Sequence, residues 1–228
     1  MANYNENLVN EINALGIFSE QVPDHVLDYY RKSVPETHEP ANHELAGHIR
    51  KENKFLDVPK YVEDYLCSIP YKRLYFKKQL MSFQVNHNVS AEECPLKLSS
   101  NWVNFQKKYE FNPVHNHSGL FSFIIFHKIP YDYEEEAKDW NGKTSVNNVA
   151  SCLQFLYVDI LGHIQTHQIK VDKSFEGKIL FFNAKQNHCV YPFYTSDDYR
   201  ITISGNIKFK TDAKNIKTVT KQKLDYIL

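Results

Sequence analysis

Between residues 120 and 209 the chain repeats one pattern five times: a short run of β-branched and aromatic residues closed by turn formers. The runs are LFSFIIFHKI, SCLQFLYVDI, HIQTHQIKV, KILFFNA and RITISGNIKF. Strands of this length and composition, without helical periodicity between them, predict an antiparallel sandwich or small barrel and argue against a βαβ architecture. Gly162 in DILGHIQ stands where a hairpin turn needs a residue tolerant of positive φ.

The N-terminal part reads differently. In ENLVNEINALG, Leu8, Ile12 and Leu15 recur at helical spacing and Gly16 is placed as a C-cap. Asp24 opens a second helical segment. Asp57, as cap before Pro59, opens a third, with Tyr61, Tyr65 and Ile69 on one face. Three parts are expected: a helical N-terminal subdomain (1–80), a β core (81–210) and a polar tail (211–228).

Formal net charge is zero, so no global field draws the chain to nucleic acid or to a membrane surface. The cysteines Cys67, Cys94, Cys152 and Cys189 form no CxxC pair and read as reduced thiols. No signal-peptide pattern opens the sequence, and no run approaches the roughly 20 apolar residues of a membrane span. A cytoplasmic protein is the expectation.

Chemistry concentrates around NPVHNHSG. On a strand, His115 and His117 would project to one face, and imidazole is the commonest metal ligand at neutral pH. Two ligands do not make a site. His188, in the loop expected after the strand at 178–183, is the best third. Twelve residues on, alternation puts Arg200, Thr202 and Ser204 on one strand face. An arginine buried beside three histidines needs an anionic partner, because an unpaired buried charge is costly. A small dicarboxylate, chelating a metal at one end and pairing with Arg200 at the other, meets both needs. Trp102, Gln106 and Asn112 precede the histidines and are candidates to line the pocket.

Taken in order, NPVHNHSG, HCVYP and RITISGN resemble the motifs of the iron(II)/2-oxoglutarate-dependent oxygenases. They are most similar to the family with an HxH motif common in phages and marine bacteria. The resemblance spans roughly residues 99–209. It implies a double-stranded β-helix (jelly-roll) core and Fe(II) held by His115, His117 and His188. It also implies 2-oxoglutarate anchored by Arg200 with Ser204, with Asn112 on the cofactor side. Molecular oxygen would be the co-substrate, and 2-oxoglutarate would be decarboxylated to succinate as a substrate is oxidised. One position departs from the pattern. His117 stands where the usual facial triad has Asp or Glu, so either an imidazole replaces the carboxylate or the site lacks a ligand. Two rival classes are a non-catalytic jelly-roll binding or virion-associated module, and a three-histidine cupin-type dioxygenase that needs no 2-oxoglutarate. The cupin reading gives Arg200 no job.

Other features read more plainly. His163 and His167 flank the hairpin and Cys189 adjoins His188, but neither completes a constellation. KRLYFKKQ (72–79) reads as an element with one solvated face, and Glu134–Glu136 as a solvated acidic loop.

Overall fold

The computed structural model describes residues 11–12, 16–87, 96–139 and 148–210. Two antiparallel sheets organise them. The larger runs β1-β2-β10-β7-β12-β5-β4-β3, formed by Glu11–Ile12, Ile17–Gln21, Lys178–Asn183, Phe121–Lys128, Arg200–Phe209, Leu96–Gln106, Glu52–Lys54 and Glu39–Pro40. The smaller runs β6-β11-β8-β9, formed by Asn112–His115, His188–Val190, Leu153–Val158 and Ile164–Ile169.

Alternation along the strands sorts side chains into two cores on opposite faces of the large sheet. Phe121, Phe123 and Ile125 of β7 and Ile179 and Phe181 of β10 face one way. They meet Val26, Leu27, Tyr30 and Val34 of α1 (Asp24–Glu36). Val62, Leu66 and Ile69 of α2 (Lys60–Lys72) and Phe76 and Leu80 of α3 (Leu74–His87) complete that layer. Ile124, Phe126, Leu180 and Phe182 face the other way, against Leu153 and Phe155 of the small sheet, with the Phe155 and Phe182 rings 5.1 Å apart. Each fully buried side chain of this size contributes about 1.5–3 kcal/mol of transfer free energy. The helix layer and the small sheet are thus fixed to the same strands from opposite sides.

Five strands predicted from the sequence are present, and Gly162 turns the β8–β9 hairpin at φ 84°. The N-terminal part departs from expectation. It supplies three helices, but Ile17–Gln21 and Glu52–Lys54 are strands paired to β10 and β5. Most of the helix read over residues 6–16 lies outside the described residues. Within it, Glu11–Ile12 pairs with β2, and Gly16, at φ 61°, serves the turn between these strands. Helix α2 starts after Pro59 and takes no side-chain cap from Asp57. Its buried stripe is Val62, Leu66 and Ile69, while Tyr61 is exposed and the Tyr65 hydroxyl reaches Glu20 at 3.0 Å. Tyrosine's polar tip accounts for the shift, since the ring is drawn to a rim where its hydroxyl finds a partner. Lys77 and Lys78 of α3 are exposed opposite Phe76, as one solvated face requires.

Glu136 overturns the solvated-loop reading. It sits on a short helix, α4 (Tyr133–Asp139), and is fully buried, accepting hydrogen bonds from the Tyr194 and Thr195 amides at 2.8 and 2.9 Å. It pins the loop that leads into Arg200. The tail, 211–228, lies outside the described residues. Among those residues no helix is long and apolar enough to cross a membrane.

Candidate metal centre

Strands β6 and β11 pair so that His115 lies directly opposite His188. Here the structure refines the sequence reading: His188 does not sit in a loop but heads a short strand held between β6 and β8. His117 lies two residues beyond the end of β6. Its backbone N–H donates to the Ala184 carbonyl at 2.8 Å, which folds the segment back toward His188. The three rings converge, with centroids 4.3 Å (His115–His188), 4.9 Å (His115–His117) and 5.1 Å (His117–His188) apart. One ring nitrogen from each lies within 4.8 Å of the other two.

Two of the rings have assigned tautomers. His115 Nδ1 is 2.7 Å from the Pro113 carbonyl and His188 Nδ1 is 2.9 Å from the Gln186 carbonyl. A carbonyl only accepts, so each Nδ1 carries the proton and each Nε2 presents a lone pair, the arrangement that fixes a ligating histidine. Burial keeps the imidazoles neutral. It lowers His115, brings His117 down to about 4 with help from His115, and brings His188 down to about 3. Phe155 and Phe182 pack their rings 5.6 and 5.0 Å from His188. The donor set is all nitrogen and ready at neutral pH, and imidazole suits iron, nickel, copper and zinc. The residues present fit a metal ion.

One cavity joins the three histidines to Arg200, and its wall includes Trp102, Asn104, Gln106, Thr202 and Ser204. It lies between the two sheets, with β5 and β12 as the wall facing the histidines. Arg200 is 3% exposed and donates only to neutral acceptors. Nε and Nη2 go to Gln106 Oε1, the former at 3.0 Å; Nη1 goes to the Tyr131 hydroxyl at 2.8 Å and the Ser151 carbonyl at 3.3 Å. Nη2 also reaches the Tyr191 carbonyl at 3.4 Å. Among the described residues no carboxylate lies within ion-pair distance of it; Asp197 and Asp198 pair instead with Lys108 and Lys128. The guanidinium is therefore hydrogen-bonded but not neutralised. Ser151, fully buried with φ 58°, holds a conformation unusual for a residue with a Cβ and offers its carbonyl to this cation.

Asn104, which the sequence reading passed over, ties the wall together. It accepts from Trp102 Nε1 at 3.1 Å and donates to Thr202 Oγ1 at 3.1 Å and Ser204 Oγ at 3.3 Å. Alternation from Trp102 to Gln106 was the available signal. Tyr131 and Glu52 gave none. Ser204 lines the cavity as expected, four residues from Arg200, with Thr202 between them on the same wall. Asn112 lines it too, beside the histidines. His163 and His167 stay outside the cluster, and burial pushes the Cys189 thiol up, away from a thiolate role.

No family model matches this sequence, and no curated protein matches it. Solved structures do. A prolyl-4-hydroxylase from Pseudomonas putida superposes with a TM-score of 0.50 at 12% identity, covering 88% of this chain and 96% of that one. An oxidoreductase of the 2OG-Fe(II) oxygenase family from Burkholderia pseudomallei gives 0.51 at 10% identity, covering 91% and 92%. The chain shares the fold of these two structures. At such identities the likeness reaches the fold alone, and activity rests on the cavity.

Proposed function

We propose that the chain is an Fe(II)- and 2-oxoglutarate-dependent oxygenase, a hydroxylase in its simplest form, with its two sheets forming a double-stranded β-helix core. Within that superfamily its motifs most resemble those of the HxH family common in phages and marine bacteria. One observation carries the reading: three neutral imidazoles and a buried, un-neutralised arginine line the same cavity. A cupin-type centre would leave that arginine without purpose.

His115, His117 and His188 would hold the iron, with His117 in place of the usual carboxylate. Arg200 would receive the distal carboxylate of 2-oxoglutarate, which takes over from a neutral acceptor such as Gln106 Oε1. Tyr131, whose phenol burial keeps protonated, stands beside Arg200 to donate to that carboxylate. Thr202 or Ser204 would supply a hydroxyl, and Thr202 is the nearer along the strand. Asn112 stands at the cofactor's metal end. When bound, iron and 2-oxoglutarate supply oxidative decarboxylation to succinate coupled to a two-electron oxidation of the substrate by molecular oxygen. The chain's own work is to orient both ligands and to keep water out, which Ile124, Phe126, Leu153 and Val171 do by lining the cavity.

Anaerobic titration with Fe(II) and 2-oxoglutarate tests this, by the visible charge-transfer band of the chelate. The band is expected in the wild type and not in His188→Ala, with succinate released when oxygen is admitted. No band in the wild type refutes the cofactor assignment.

A further inference from the structure

Next to the main cavity is a second hollow. Gly47 and Glu52 line it but not the main cavity, and it shares Trp102, Asn112, His115 and His117 with the metal centre. Two oxygens of its lining, on Glu52 and on Asn112, are poorly matched by donors. Glu52, from β4, is 1% exposed, and its carboxylate receives one long hydrogen bond, from Asn42 Nδ2 at 3.4 Å. Among the described residues no lysine, arginine or histidine lies within ion-pair distance of it. Its charged neighbour is Glu110, of like sign. Asn112 Oδ1 is buried and has no hydrogen-bond partner. A buried carboxylate with a single long hydrogen bond and a buried amide oxygen with none are costly to leave so poorly matched.

Gly47 borders both oxygens. A Cβ on Gly47 would stand 2.3 Å from Asn112 Oδ1 and 3.3 Å from Glu52 Oε1, so any side chain would fill the space in front of both oxygens. The backbone there has no positive φ to demand glycine. Its want of a side chain is what lets Asn112 and Glu52 come this close to the Gly47 backbone. Glu52 is also not the carboxylate missing from the metal centre, since it falls outside the group of converging ligand atoms.

We propose that Gly47, Glu52 and Asn112 form a substrate subsite for a cationic nitrogen, an aliphatic ammonium or a guanidinium. Its N–H groups bond Glu52 and Asn112 Oδ1 and hold the adjoining carbon chain against His115 and His117. The proposal rests on the oxygenase reading for what happens to that chain, but the subsite itself is a binding claim and is tested as one. Cationic substrates follow because the carboxylate lacks a cation, has an acidic neighbour, and sits where a neutral alcohol would leave its charge unanswered.

Calorimetric titration decides it, using n-butylamine and agmatine as probes and 1-butanol as the neutral control. The full chain is used both metal-free in EDTA and loaded with Ni(II) and 2-oxoglutarate. The wild type should bind the two cations and not the alcohol. Glu52→Gln should weaken the cations by about tenfold or more, and Gly47→Ala should do the same by filling the space. Ni(II) binding by the same variants reports that they are folded. Equal affinity in wild type and Glu52→Gln overturns the proposal, as does 1-butanol binding as well as n-butylamine, or no cation binding at all. A Glu52-dependent titration without any Fe(II)–2-oxoglutarate band would sink the oxygenase reading and keep the subsite. A band with a flat titration would do the reverse.

Discussion

Lowering the pH from 7 to 5 in the absence of metal should destabilise the fold through the histidine cluster and stabilise it through Glu52. His117 and His188 titrate near 4 and 3 when folded, against 6.5 when exposed. A group with a depressed folded value has its stability in full above the unfolded value and loses it as pH falls through the window below. Over these two pH units the unfolded chain takes up nearly one proton at each of the two positions while the folded chain takes up almost none. The cost is about 2 kcal/mol for each histidine. His115, lowered in the same sense, adds to it.

Glu52 has the opposite sign. Burial, with Glu110 second, pushes its carboxyl up to about 7 from 4.5. A raised value gives stability that is full below the unfolded value and lost as pH rises toward 7, so acidification returns about 2 kcal/mol. The wild type should therefore lose about 2 kcal/mol between pH 7 and pH 5, the histidine loss less the Glu52 gain. Glu52→Gln, with nothing to offset the histidines, should lose about 4, and His188→Gln should hold nearly level. Urea unfolding in EDTA at the two pH values measures each difference, with the slope m checked for constancy. If Glu52→Gln shows the same or a shallower loss than the wild type, Glu52 is not a buried, raised carboxyl. If His188→Gln loses as much as the wild type, the imidazole is not buried neutral.

Two further outcomes follow from the cavity and its supports. Arg200→Met keeps the length of the side chain and removes the charge; 2-oxoglutarate affinity, read from the chelate band, should fall by at least about 30-fold, the usual cost of stripping one partner from a buried charge pair, while Ni(II) binding persists. Glu136→Ala should cost about 3 kcal/mol in urea unfolding, because the Tyr194 and Thr195 amides and the Thr195 hydroxyl lose a buried acceptor, and Glu136→Gln should recover most of that loss.

What the sequence disclosed and what it hid divide along a physical line. Strands β7 and β10 are legible because both their faces meet apolar layers, and β12 because Ile201, Ile203 and Ile207 alternate on its core face. Strand β5 was missed although it pairs with β12 over ten positions. Its sequence, LKLSSNWVNFQ, carries Asn101, Asn104 and Gln106, all of which are buried. Asn104 and Gln106 face the cavity, and Asn101 accepts from the Tyr30 hydroxyl on the helix side at 3.1 Å. A strand that walls a polar site breaks the hydrophobic pattern by which strands are found. The histidines and Arg200 were legible as motif in chain order. Glu52 and Tyr131 were not, since their importance arises only when Glu52–Lys54 pairs with β5 and when Tyr131 is carried to Arg200 across the fold. The N-terminal helical pattern misled for a related reason: two short strands there are held by the sheet they join, not by propensity of their own.

Under the proposed function, His117 in place of a carboxylate bears on which ligand the cavity can take. A divalent metal on three neutral imidazoles keeps its whole charge, and Arg200 adds another across the same cavity, with no carboxylate among the described residues joining the ligand group or pairing with the arginine. A monocarboxylate satisfies one end and leaves the other buried and unmatched. A diacid long enough to span the two satisfies both. The loss of the usual carboxylate ligand therefore sharpens the preference for a dianion over a monoanion, because the charge that Asp or Glu would have supplied must come from the ligand itself. Under the proposed function that dianion is 2-oxoglutarate, and the same reasoning makes pyruvate, with its single carboxylate, a poor substitute for it.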